Sequence, residues 1–156
     1  MTTLFTRRRL MRYLPLLLWM AFIFFASTNS FSASNTSRFI RPLLVWLFPQ
    51  ISEERIAVFH FLVRKASHFS EYAILAFLAA RAFISSSQRL LRTYWIHASI
   101  ILLVSYALLD EFHQSFVSSR TASIYDSLID VAGGVFSLLC FASSKAASEK
   151  NYEPNN

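Results

Sequence analysis

Histidines and carboxylates recur in this sequence where nearly all their neighbours are apolar. His68 and Glu71 open one apolar run. Asp110, Glu111, His113 and Gln114 close the next, and Asp126 and Asp130 fall in the opening turns of a third. An ionisable group at membrane depth is costly, so it is usually paired, turned toward the protein interior and functional. Histidine beside a carboxylate is the pairing of general acid–base chemistry. The i, i+3 pairs His68-x-x-Glu71 and Asp110-x-x-His113 also resemble the carboxylate–histidine pairs that hold divalent metals in helical bundles. Lys65 and Arg120 are the cations placed to grip a phosphate or carboxylate.

Helical spacing sets which of these groups can meet. Lys65, His68 and Tyr72 share one stripe, with Glu71 three residues after His68. Asp110 neighbours His113 and Gln114, whereas Glu111 points about 100° away, toward another helix or the headgroups. Asp126 and Asp130 are i, i+4 on one face. Gly133 and Gly134 follow and remove bulk where helices can approach closely. Asp130 lies only about 9 Å along a helix from Ile124, which makes it the deepest charge. A carboxylate at a span's centre costs roughly 2.5–3.5 kcal/mol on insertion scales, so gathering several without purpose is improbable.

Four readings of the constellation stay open. One is a hydrogen-bonded network that fixes helix register. A second is a site that binds or modifies an amphiphile, and a third is a divalent metal site. The fourth, a proton or ion pathway, wants polar groups through the whole bilayer, and the inner halves of these runs offer almost none. Ser67, Ser70, Ser115 and Ser118 lie near the histidines but have no nucleophile-elbow spacing. The chain is thus compatible with an enzyme or a non-catalytic protein, and its residues name no particular cofactor.

The elements that must carry these groups are apolar helices. The 156-residue chain is 54% hydrophobic and only 15% charged, with two glycines and sixteen phenylalanines. Its mean hydropathy is +0.41. That composition excludes a disordered chain and a glycine-rich phosphate-cradling fold. The predicted fold is an all-α integral membrane bundle of four transmembrane helices, with an amphipathic or re-entrant segment between the first two. The spans run about 13–27, 66–84, 94–112 and 124–141. Pro15 belongs to the first turn of span one, where a missing N–H is harmless. A polar loop occupies 28–38. Phe39–Phe48 is too short to span and is interrupted at Arg41-Pro42. Ser52 is the expected N-cap of an amphipathic lead-in over about 53–65 that lies on the membrane, where His60 is an interfacial side chain. His97 is a satisfied or interfacial histidine near the entry to span three. Cys140 is a small buried hydrophobe with no disulfide partner.

The net charge of +6 is not gathered as a nucleic-acid interface would gather it. Cations cluster at Arg7, Arg8, Arg9 and Arg12 and at Arg81, Arg89 and Arg92, flanking apolar runs. This is the positive-inside pattern. It makes 1–12 a basic cytoplasmic N-terminus, 13–143 the membrane domain and 144–156 a polar cytoplasmic tail, in a cytoplasmic (inner) membrane. The cytoplasmic side then holds nine of the fifteen Lys and Arg, leaving Arg38, Arg41, Arg55, Arg64, Lys65 and Arg120 outside. The rival for the first span is a cleaved signal peptide, with Arg7–Arg12 as its basic region and cleavage near Ser32-Ala33-Ser34. Thr6-Arg7-Arg8-Arg9-Leu10-Met11 also resembles a twin-arginine signal. The later spans make an uncleaved helix the simpler reading. All three polar clusters then come out near the outer face.

Three stretches resemble the VanZ-like family of small bacterial membrane proteins. They are Lys65-Ala66-Ser67-His68-Phe69-Ser70-Glu71-Tyr72, then Asp110-Glu111-Phe112-His113-Gln114, then Arg120 with Asp126, Asp130 and Gly133. The resemblance runs from about 13 to 141. It departs from the family pattern at Ser118-Ser119, where Pro-Gly is common, at Asp130, where Asn is common, and at Ser137, where a second glycine is common. The resemblance implies a link to teicoplanin-type glycopeptide susceptibility and brings no assigned reaction. On these grounds His68, Glu71, Asp110, His113, Asp126 and Asp130 are the candidate catalytic groups. Lys65, Tyr72, Glu111, Gln114 and Arg120 are the candidate substrate-binding groups. The expected partners are the bilayer itself and an envelope lipid or lipid-linked intermediate.

Overall fold

The computed structural model describes residues 2–28, 33–117 and 123–152. These residues form six helices: α1 (Thr2–Ala26), α2 (Ala33–Leu47), α3 (Glu53–Ile84), α4 (Arg89–Thr93), α5 (Trp95–Gln114) and α6 (Ile124–Tyr152). The described residues include no strand. Two helices, Trp95–Gln114 and the Ile124–Lys150 stretch of α6, are long and apolar enough to cross a membrane. The apolar part of α1, Leu10–Ala26, is shorter, and α3 carries more charge.

Several local expectations change. The lead-in over 53–65 and the apolar run from Ala66 are one uninterrupted helix of 32 residues, about 48 Å long. No glycine or proline interrupts it. Its start is where expected, with the Ser52 hydroxyl accepting from Arg55 N–H. Helix α2 starts at Ala33 inside the expected polar loop and passes through Pro42. Pro15 lies in the interior of α1, because that helix begins at Thr2. The tail beyond 143 is helical to Tyr152 and carries the Lys145–Glu149 i, i+4 ion pair.

Helix α3 is the hub, packed most extensively on α6 and also on α5, α1 and α2. Its contacts fix directions. Lys65 meets Asp126, His68 meets Asp130 and Phe77 meets Phe141, so α3 and α6 run parallel. Tyr106 Oη donates to the Met20 carbonyl at 2.6 Å and Gln114 Nε2 to Ser27 Oγ at 3.4 Å, so α1 and α5 also run parallel. At the other end, Tyr13 and Ser86 share a 2.7 Å hydrogen bond and Arg12 donates to Ser87 at 3.1 Å. Helix α2 is tied to α3 by the exposed Arg41–Glu53 ion pair. Its hydrogen bond draws the Glu53 carboxyl below its ordinary range.

The core is built from small residues, and many of the large ones face outward. Ala76, Ala79, Ala80 and Ala107 are essentially inaccessible, around Tyr72, Leu75 and Leu103. Leu18, Phe24, Ile101, Leu109, Phe112, Leu128, Phe136 and Leu139 are exposed. Cys140 is exposed too, contrary to expectation, because it sits on the outer face of α6. Small residues inside and bulky apolar residues outside is the arrangement of helices that pack in lipid.

Gly133 makes the closest approach. A Cβ there would lie 3.0 Å from Phe69 Cα and 2.9 Å from its carbonyl carbon, whereas at Gly134 it would meet the Leu103 side chain. Backbone cannot step aside as a leucine rotamer can. Gly133→Ala is therefore expected to destabilise by about 1–3 kcal/mol, and Gly134→Ala by clearly less. Thermal unfolding of both variants in one detergent checks the order.

Candidate functional site

The polar groups of α3, α5 and α6 collect at one end of the bundle. His68 lies sixteen residues before Ile84, the last residue of α3, about 24 Å along the axis. That is most of the thickness of a bilayer's hydrocarbon core, roughly 30 Å.

Asp126 is the first anchor. It is buried in the first turn of α6 and receives both Arg64, at 3.1 Å, and Lys65. One turn on, His68 Nδ1 and Asp130 Oδ1 are 3.0 Å apart, with Asp130 fully buried. The i, i+4 spacing of Asp126 and Asp130 thus meets Arg64, Lys65 and His68 on the parallel helix. Both cations crossing to Asp126 keep about a quarter of their side-chain surface exposed, 29% for Arg64 and 23% for Lys65.

Helix α5 contributes two branches. Gln114 Nε2 donates to Asp110 Oδ2 at 2.9 Å and reaches Ser27 Oγ at 3.4 Å, joining α5 to the end of α1. Glu111 turns the other way but inward. It is 7% exposed, and its Oε2 accepts from Ser123 N–H at 2.7 Å, just before α6. A carboxylate suits that position, because the first N–H groups of a helix lack intrahelical partners.

Of the remaining expected residues, Glu71 lines the neighbouring cavity, while His113 and Tyr72 fall elsewhere. His113 stacks on Phe24 with ring centroids 4.2 Å apart, so it faces α1, and the i, i+4 residue Gln114 takes the Asp110 contact expected for it. Tyr72 is fully buried in the core, with its hydroxyl 3.5 Å from the Tyr106 carbonyl. Glu71 is half-buried beside the cavity, and its backbone carbonyl accepts from Trp19 Nε1 at 2.9 Å. Arg120 lies outside the described residues. Arg64, Ser27 and Ser123 were not singled out. The sequence places Arg64 only among the extracytoplasmic cations, and its contact with Asp126 comes from the structure.

A cavity of about 710 Å³ opens beside this cluster, between the end of α1, α2 and the first half of α3. Phe22, Ile40, Phe61 and Val63 line its apolar part; Ser27, Arg64, His68, Glu71 and Gln114 its polar part. His60 also lines it, with a buried Nε2 that no protein group meets. Among the described residues, the group able to hold a metal is His68, Glu111 and Asp130, with one donor atom from each within 4.8 Å of the others. The i, i+3 pairs expected from spacing do not form such a group.

Apolar helices packed through small residues around a polar end, two of them long and apolar enough to cross a bilayer, point to a helical membrane protein. The VanZ/LLP1 family model matches residues 13–145, and the chain belongs to that family. No curated protein and no solved structure matches it.

The Asp126 knot is open to a coupling measurement. Lys65→Met and Asp126→Asn should each lower stability. The double variant should lose less than the sum, with a coupling of about 0.5–3 kcal/mol. Additive losses would show that the contact carries no energy.

Proposed function

We propose that this VanZ-like protein is a four-span inner-membrane protein whose cavity binds an amphiphile from the extracytoplasmic leaflet, an envelope lipid or lipid-linked intermediate. The carrying observation is the cavity's two-sided lining. Its volume lies within the roughly 300–1,000 Å³ usual for ligand sites. The phenylalanine, isoleucine and valine side suits an acyl or prenyl segment. Arg64 and the hydroxyl and amide groups suit a charged head. In this reading α1 and the Ala66–Ile84 part of α3 span with α5 and α6, and both termini are cytoplasmic. The alternating helix directions support that course. The hydrogen bonds of α1 to α3 and α5 support its retention as an uncleaved helix. His68 is the group best placed to exchange a proton with a ligand's head, since it lines the cavity and holds Asp130 behind it. Altered teicoplanin-type glycopeptide susceptibility would follow from handling such a ligand.

The Asp110–Gln114–Ser27 branch favours a structural role for part of the network. It links α5 to α1 through side chains that hydrogen-bond one another.

Two experiments test the proposal. Alkaline phosphatase fused after Thr28 or Ser123 should be active, and fused after Ser87 inactive; the opposite pattern would place the cavity on the cytoplasmic side. Separately, purified protein should carry a co-extracted lipid detectable by native mass spectrometry. Ala57 lines the cavity away from the buried carboxylates, so Ala57→Trp should remove that lipid while leaving the fold intact. Lipid retained at wild-type occupancy would exclude the cavity as its site.

A further inference from the structure

The carboxylates behind the cavity are unequally matched. Asp126 has two cations. Among the described residues no lysine or arginine pairs with Glu111 or Asp130, and each keeps one oxygen, Glu111 Oε1 and Asp130 Oδ2, that no protein group meets. Both residues are more than nine-tenths buried. A buried carboxylate with a bare oxygen is strongly disfavoured unless a cation or proton reaches it. His68 completes the set from a third helix.

We infer that His68, Glu111 and Asp130 form a divalent metal site, filled by an ion of the zinc or manganese type. One imidazole nitrogen with two carboxylate oxygens is the donor set of such ions, and no thiolate is present to favour softer ones. The spacing fits. Two ligands each about 2.1 Å from one ion lie roughly 3.0–3.4 Å apart, and His68 Nδ1 and Asp130 Oδ1 are already 3.0 Å apart. Glu111 closes the triangle with a small side-chain movement, since all three donors lie within 4.8 Å. Each ligand comes from a different helix, α3, α5 or α6, so the ion would also cross-link the bundle. Binding needs neutral imidazole and ionised carboxylates, so the proton between His68 Nδ1 and Asp130 would shift to Nε2, or be released where the pair carries a second proton, as the ion enters. Three protein ligands would leave a coordination position open, and His68 among them lines the cavity. The site stands without the amphiphile reading, because its ligands are complete before any lipid enters.

The full-length protein, purified in mild detergent, stripped with chelator and dialysed, is titrated with zinc and with cobalt. Bound metal is counted by mass spectrometry. Zinc should saturate at one per chain and raise the unfolding temperature, and cobalt should give a visible ligand-field band. Glu111→Gln and Asp130→Asn should each weaken binding by at least about 100-fold, beyond the roughly 10–100-fold lost with an outer-shell partner. Glu149→Gln removes the same charge at the exposed far end of α6 and should keep the zinc. No stoichiometric zinc in the wild type overturns the inference. So does zinc held equally by the wild type, Glu111→Gln and Asp130→Asn. Should a variant fail to give monodisperse protein, the wild-type cobalt spectrum decides: a spectrum unchanged from the free aqueous ion overturns the site.

Discussion

The parallel pairing of α3 with α6 is the constraint on which the rest of the structure depends. In lipid, helices gain little from burying one another's apolar faces, so packing detail and polar contacts set their register. Here the two coincide. Asp126 and Asp130 meet Arg64, Lys65 and His68 one turn apart, and Gly133 places α6 against the backbone of Phe69. A shift of α6 by one residue would turn both carboxylates about 100° from their partners. It would also lift the glycine off Phe69. The position of Glu111 follows, because the short link from α5 to α6 holds Ser123 within 2.7 Å of its carboxylate.

The same pairing explains the distribution of residue sizes. Close approach at Gly133 draws in Ala76, Ala79 and Ala80 along α3, leaving little room for large side chains between helices. Phenylalanine and leucine then occupy outer faces, where in water they would be a liability and in lipid they are solvated. Tyrosine and tryptophan enter the interior with their polar atoms satisfied. Tyr106 and Trp19 each donate to a carbonyl on another helix.

Much of this was legible in the sequence. The i, i+4 carboxylates, the glycines after them, the Ser52 cap and the histidine of α3 each follow from spacing alone. What spacing does not give is the absolute rotation of a helix about its axis. Asp110 has His113 and Gln114 as equivalent neighbours on a helical wheel. The rotation of α5 decides between them, sending the histidine to Phe24 and the amide to Asp110. Glu111 points about 100° from Asp110, toward either another helix or the headgroups by spacing alone; the structure puts the start of α6 on that side. Spacing does not mark Arg64, yet a long arginine reaches around a helix to a partner its Cα does not face. The continuity of α3 and the helix in 33–38 were missed for another reason. Polar composition marks exposure, and a helix that projects beyond the apolar zone is exposed while remaining a helix.

The identity of residue 130 separates register from chemistry. His68 needs one acceptor or donor at that depth, and an asparagine would supply it without bringing a charge into the bundle. The aspartate adds an ionisable group and a second oxygen that no protein group meets. Register therefore accounts for one oxygen of Asp130 and leaves the other unexplained. Glu111 has the same division, with one oxygen on Ser123 and one bare. Asp110 and Asp126 differ, since each is held by side chains of the protein itself. The oxygens left without a protein partner thus belong to Glu111 and Asp130, the two carboxylates grouped with His68, which lines the cavity. A purely architectural network has no use for those two oxygens.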